Sequence, residues 1–415
     1  MNVKITPAPL AGTVESVGSK SFAHRALIAA ALFAKGEVIL AGITPSKDVE
    51  ATVNCLRALG ATIVEGETYR VIPPTSFPKK AVFPCIESGS TMRFFLPIAA
   101  ALGIDAEFTG SPRLLQRPND ALFETLRSGG ITVCENRFLS GKLQSGIYRV
   151  NASVSSQYIT GMLFALALLE GENELVLTGE IVSREYVDIT VSVLKDFGIE
   201  ILQTERGYKI KGKAESTVTE YKVEGDWSNA AFYLVAGALS GPVTVTNLNQ
   251  KSLQGDRAIL SVLAQTGANI TQTATQVTVK RGELQGFSVN AEQIPDAVPI
   301  LAVLAAFSKG ETQISGVERL KIKESDRLAE IITTLQTAGI SAKHENKKLI
   351  IMGGNPKGGK FFAANDHRMA MMQTILAAHA KGDSEILGAE CVSKSYPMFY
   401  EDFLRVGGNY GKVEG

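Results

Sequence analysis

The run Gly18–Gly36, "GSKSFAHRALIAAALFAKG", opens on small polar residues, continues as an almost wholly apolar helical stretch, and stops at a glycine. A helix that is apolar on nearly every face is a buried helix, so this segment belongs inside a layered core. The same plan returns five more times. It reads "ESGSTMRFFLPIAAALG" at 87–103, "SVSSQYITGMLFALALLEG" at 153–171, "GDWSNAAFYLVAGALSG" at 225–241, "IPDAVPILAVLAAFSKG" at 294–310 and "NDHRMAMMQTILAAHAKG" at 365–382. The period is roughly 70 residues, longer than that of common solenoids.

After each of these glycines comes a short strand-like run, such as "EVILAGI" or "NELVLTG". A second, amphipathic helix follows, as in "DVEATVNCLRALGA", and also ends at glycine. In the first five copies a hairpin-like pair comes next, as in "TIVEGETYRVIPP". The unit is therefore βαβαββ. The sixth copy is cut short, and the unassigned N-terminal "NVKITPA" is expected to supply its missing strand. The fold class is α/β (α+β), with two domains of three units each around buried parallel helices. The expected partition is 1–18 plus 225–415 for a discontinuous domain and 19–224 for an inserted one, with the active site in the cleft between them.

At 415 residues the chain exceeds one ordinary core. Lys plus Arg and Asp plus Glu both number 42, so no overall basic field recruits nucleic acid or an anionic membrane. Four scattered cysteines without CxxC spacing speak against a zinc ribbon and a disulfide framework and fit a reducing compartment. "MNVKITPAPL" has no apolar signal region, and "MLFALALL" is too short to span a bilayer. A cytoplasmic monomer is expected.

Polar residues recur at equivalent places. Before the buried helices stand Lys20-Ser21, Ser88-Gly89-Ser90, Ser155-Ser156-Gln157, Asp226 with Ser228-Asn229, Asp296 and Asn365-Asp366-His367-Arg368. Before the outer helices stand Asp48, Arg113 with Arg117, Ser183-Arg184, Asp256-Arg257, "KIKESDR" (321–327) and Lys394. Helix N-termini favour anions, and arginine adds a fork suited to carboxylate and phosphate. In "KIKESDR", Ser325 is the expected helix cap. His24 reads as a core or capping histidine, and two distant histidines without partners at ligand spacing make no metal site. Gly353-Gly354 and Gly358-Gly359 read as a flexible surface loop, since no GK[ST] helix start follows.

Taken together, "GSKSFAHRALIAAAL", "LLQRP", "SVSSQ", "IPDAVP", "KIKESDR", "NDHRMAM" and "CVSKSYP", in that order, resemble the 5-enolpyruvylshikimate-3-phosphate synthase family over essentially the whole chain. The resemblance implies an enolpyruvate transferase-like inverse barrel. It implies transfer of the enolpyruvyl group of phosphoenolpyruvate to the 5-hydroxyl of shikimate 3-phosphate, with release of phosphate, in the shikimate pathway. No metal and no organic cofactor is implied, and glyphosate is implied to act at the phosphoenolpyruvate site. Carried over by residue, shikimate 3-phosphate would meet Lys20, Ser21, Arg25, Ser155, Ser156, Gln157, Ser183, Asp296 and Lys323. Phosphoenolpyruvate would meet Lys20, Gly89, Arg117, Gln157, Arg327, Arg368 and Lys394. Asp296 would be the base and Glu324 the acid, with Lys323 beside both and Lys20 also in the catalytic set. The chain departs from the family at Arg319, where Asn is frequent, and at Phe94, where Pro is common. A related transferase that uses a loop cysteine does not fit, because Arg117 stands in the cysteine-free stretch 111–120. A silent binding scaffold is the remaining alternative, and it would release no phosphate.

Overall fold

The computed structural model describes residues 1–413. Glu414 and Gly415, the end of the expected discontinuous domain, lie outside the described residues. The chain forms two compact units, one of Met1–Val17 with the chain from Gly225 onward, the other of Gly18–Glu224. Each unit has its own hydrophobic core.

Among the described residues six four-stranded sheets form, three in each unit, and every one has the same strand order. The first strand lies parallel to the second, and in four of the six sheets a buried helix joins the two in chain order. The second pairs antiparallel with the fourth, and the fourth with the third, as in Ile147–Asn151, Glu172–Thr178, Gly207–Lys211 and Ile201–Thr204. The βαβαββ unit is thus the building block throughout.

Three of these strands come from afar. Asn2–Thr6 fills the fourth place of the sixth repeat, between Ser384–Leu387 and Asn409–Val413. Two further exchanges were not expected from the sequence. Gly12–Glu15 is the first strand of the fourth repeat, parallel to Val243–Thr246, and Glu220–Lys222 is the first strand of the first repeat, parallel to Val38–Ala41. Each crossing is marked by a glycine whose place tolerates no side chain. A Cβ on Gly18 would sit 1.8 Å from the Gly42 carbonyl oxygen, and one on Gly225 would sit 1.9 Å from that of Asn247.

The six buried helices behave as their composition dictates. Every residue of Trp227–Leu239 is buried, and in Ser156–Leu168 only Gln157 and Leu168 are not. The helices Gly89–Leu102 and Ser156–Leu168 pack so closely that a Cβ on Gly161 would lie 2.4 Å from the Arg93 carbonyl oxygen. That carbonyl lacks its usual helical donor because Pro97 follows four residues later and has no N–H. Among the described residues, no helix is long and apolar enough to cross a membrane.

The double-glycine segments are less loose than their composition suggests. Cβ atoms on Gly353 and Gly358 would meet the carbonyl oxygens of Ser308 and Asp383 at 1.8 and 2.1 Å, so small size there serves close backbone packing rather than flexibility.

Candidate active site

In the unit Gly18–Glu224 the polar side chains gather at helix starts. The helix Lys20–Phe33 carries Lys20, Ser21 and Arg25 on its first two turns. Lys20 Nζ pairs with Asp48 Oδ2 at 2.6 Å. Arg25 is buried and donates to Thr190 Oγ1, Ser21 O, Tyr186 O and Thr160 Oγ1. Burial pushes its guanidinium down to about 9, so it remains charged at neutral pH.

Ser88 caps the helix Gly89–Leu102 by accepting from Thr91 N. Beside it, Gly89 faces Arg117, which ends the short helix Pro112–Gln116, and a Cβ on Gly89 would lie 2.5 Å from Arg117 Nη1. Ser155 caps Ser156–Leu168 by accepting from Gln157 N. The Gln157 amide is oriented on both sides, because Arg93 Nη1 donates to Oε1 at 2.8 Å and Nε2 donates to Ser90 Oγ at 2.9 Å. Ser183 is buried in the left-handed region, φ 50°, immediately before the helix Arg184–Asp196. A non-glycine residue held there stores strain of the kind found at binding sites. His24 belongs to the core, with Nδ1 2.7 Å from Thr52 Oγ1, and burial followed by Lys20 and Arg25 holds it well below its ordinary range.

The other unit builds a charged cluster. Arg327 opens the helix Arg327–Thr337 and is only 1% exposed. It donates through Nη1 to Asp296 Oδ1 at 2.8 Å, through Nη2 to Glu324 Oε2 at 2.7 Å and through Nε to Asp366 Oδ2 at 2.7 Å. Burial works against its charge, but Asp366, Glu324 and Asp296 outweigh it and hold the group well above its ordinary range. Lys323 Nζ lies 3.2 Å from Asp296 Oδ1, and Arg368 Nη2 lies 3.4 Å from Asp296 Oδ2. Asp296 therefore touches three cations. Burial lowers the Lys323 ammonium, Arg327 and Arg319 add to that, and Asp296 and Glu324 oppose it. Lys394 Nζ reaches the Asn365 carbonyl oxygen at 2.5 Å, and Ala364 and Asn365 both hold positive φ just before the helix His367–His379. Asp256, bonded to Ser228, is pushed up to about 6, first by burial and then by Asp296.

Ser325 is not the cap. Asp326 accepts from Ala329 N, and Ser325 donates instead to Asp366 Oδ2 at 3.1 Å, because Glu318–Ile322 forms a separate 3-10 turn that shifts the helix start. Several residues that hold the site were missed from sequence: Arg93, Thr160, Thr190 and the anchoring role of Asp366. For Arg93 and Thr160 the available signal was a polar residue inside an apolar buried helix, which requires a partner. Among the described residues, no three His, Cys, Asp or Glu side chains gather as a metal site.

The family model described as EPSP synthase (3-phosphoshikimate 1-carboxyvinyltransferase) matches residues 5–403. The 3-phosphoshikimate 1-carboxyvinyltransferase of Clostridium kluyveri is 40% identical across 98% of this chain and 97% of its own length. That of Clostridium acetobutylicum is also 40% identical, with the same shares covered. A solved EPSP synthase from Acinetobacter baumannii shares the fold at a TM-score of 0.82 and 24% identity, covering 99% of this chain and all of the other. The enolpyruvyl transferase NikO from Streptomyces tendae shares it at 0.77 and 18% identity, with 99% and 98% covered. The resemblance carried by the seven motifs thus extends along nearly the whole sequence, and the chain belongs to the EPSP synthase (3-phosphoshikimate 1-carboxyvinyltransferase) family.

Proposed function

We propose that the two polar clusters act on one pair of substrates, moving the enolpyruvyl group of phosphoenolpyruvate to the 5-hydroxyl of shikimate 3-phosphate. The reaction is that of the family; the residue roles are our assignment. Lys20, Ser21, Arg25, Ser155, Ser156, Gln157 and Ser183, with Asp296 and Lys323, bind shikimate 3-phosphate. Lys20, Gly89, Arg117, Gln157, Arg327, Arg368 and Lys394 bind phosphoenolpyruvate. Two phosphates and a carboxylate need this many fixed cations, and helix N-termini add backbone donors.

The observation that carries the acid–base assignment is Asp296 in contact with Lys323, Arg327 and Arg368. Surrounding cations keep a carboxylate ionised and available as a proton acceptor. Asp296 takes the 5-hydroxyl proton as the oxygen bonds to C2 of phosphoenolpyruvate, and Glu324 gives a proton to C3, making it a methyl group. Loss of a C3 proton and of phosphate then restores the double bond in the product. Both stages are proton transfers and bond exchanges without a change of oxidation state, so no cofactor enters the proposal. Four free cysteines and the absence of a long apolar helix among the described residues support a cytoplasmic enzyme. We assign it as a monomer. Phosphate release should require both substrates together. Release with a nucleotide sugar in place of shikimate 3-phosphate, or none at all, would overturn the assignment.

A further inference from the structure

Arg25 has five N–H donors in a fixed plane. The fold engages four of them. Nε donates to Thr190 Oγ1 at 2.8 Å, one Nη1 hydrogen goes to Ser21 O at 2.7 Å, and Nη2 donates to Tyr186 O at 2.9 Å and Thr160 Oγ1 at 3.3 Å. The two threonine hydroxyls are 2.7 Å apart. Their proton order is fixed by the carbonyl at one end: Thr190 donates to Tyr186 O at 2.9 Å, so Thr160 must donate to Thr190. The Phe94 ring covers a face of the guanidinium, with Cζ 5.1 Å from its centroid. One Nη1 hydrogen is left without an acceptor among the described residues.

We propose that Thr160 and Thr190, backed by Phe94, are positioning residues that lock Arg25 so that its last N–H and its full charge address the phosphate-bearing substrate. This rests on the assignment of Arg25 to shikimate 3-phosphate. Every acceptor in the box is neutral, so the arginine is fixed without being neutralised. A carboxylate would fix it equally well but would offset part of the charge that it offers to an anion. Phe94, where the family commonly has Pro, takes a definite place here as the apolar wall of the box. The free N–H lies in the guanidinium plane, away from the face that the ring covers. Arg25→Lys would keep the charge but replace the planar fork, which spans all four acceptors, with a compact ammonium of three donors.

The test is steady-state kinetics on the full chain, with both substrates varied. Thr190→Val should raise KM for shikimate 3-phosphate roughly 10-fold, while kcat and KM for phosphoenolpyruvate stay within about twofold. Thr190→Ser should restore the KM, because it returns the hydroxyl without the methyl. Thr160→Val is the second variant, should Thr190→Val fail to fold, and its KM should rise in the same selective way. If folded valine variants keep the normal KM while Arg25→Ala raises it, the positioning role is wrong. A KM that rises in Thr190→Val but is not restored by Thr190→Ser also overturns the role, since shape rather than the hydroxyl would then matter. If Arg25→Ala itself leaves that KM unchanged, the assignment of Arg25 falls, and the inference falls with it.

Discussion

Each unit buries an arginine near its helix starts, and the two are held in opposite ways. Arg25 is surrounded by two threonine hydroxyls and two carbonyl oxygens, and burial drives its guanidinium down to about 9. Arg327 is surrounded by Asp296, Glu324 and Asp366, and despite burial they raise it well above the ordinary value. A cation held by neutral dipoles keeps its field for a ligand. One held by carboxylates gives up that field but fixes groups that can move protons. The difference separates a setting suited to holding anions from one suited to acid–base chemistry, although Lys20, paired with Asp48, and Arg327 and Arg368, paired with carboxylates yet assigned to phosphoenolpyruvate, show that the division is not absolute.

The largest effects should follow from removing proton carriers in the carboxylate cluster. Asp296→Asn keeps shape but cannot accept the hydroxyl proton, so kcat should fall by roughly 10²–10⁴ while shikimate 3-phosphate still binds. Glu324→Gln should slow turnover comparably and abolish solvent deuterium incorporation at C3 of phosphoenolpyruvate. Near-normal turnover in both would erase the proposed division of labour. If only Asp296→Asn were active, the base would move to Glu324.

A second contrast is in stability. Asp366 is fully buried and holds Arg327 through two oxygens, so Asp366→Ala leaves a buried charge under-compensated and should cost about 3–5 kcal/mol. Trp227 is the chain's one tryptophan and lies in the same unit, so urea unfolding followed by its fluorescence reports this loss. Thr190→Val, in the neutral box, should cost only about 1–2 kcal/mol by far-UV circular dichroism. Equal losses would mean that the two settings do not differ energetically.

The repeats were legible in sequence because their helices are long, apolar and glycine-terminated, so six copies reinforced one pattern. The exchanged strands were not. "GTVE" and "EYK" are too short for a period of two to register, and their partners are set by tertiary pairing with Val243–Thr246 and Val38–Ala41. Ser325 and Asp326 are both good caps, and only the turn at Glu318–Ile322 decides between them. The charged site residues stood out at helix starts. Thr190, 165 residues from Arg25 in sequence, carries no local sign of its contact with it.

The charged cluster also predicts a pH dependence on the acid side of neutrality, where the neutral box, with Arg25 held at about 9, has none. Asp256 titrates near 6 when folded, against 3.8 unperturbed, so between these values the folded state holds a proton that the unfolded state has lost. Its contribution is therefore undiminished below about pH 4 and is lost as pH rises through about 6, by an amount on the order of 3 kcal/mol. Asp256→Asn should flatten the urea midpoint across this window in the Trp227 signal. A profile unchanged by the substitution would place the titration elsewhere.

The smallest expected effect lies in the anion-holding unit, at Gly89. An added Cβ would stand 2.5 Å from Arg117 Nη1 and 2.9 Å from its Cζ. The opposing atoms are the end of a flexible side chain rather than backbone, so the arginine should yield and the fold should survive. Gly89→Ala should therefore leave stability within about 0.5 kcal/mol, the range for substitutions that disturb no structural feature. KM for phosphoenolpyruvate should rise about 10-fold, because Arg117 no longer presents its fork. Glyphosate inhibition should be competitive with phosphoenolpyruvate and weaker in the variant. Since the effect is proposed to act through Arg117, Gly89→Ala on an Arg117→Ala background should add little, a non-additivity that direct crowding of the ligand by the methyl group would not produce. If the two substitutions instead add fully, the methyl group meets the substrate itself, and Arg117 is not the residue that Gly89 makes room for.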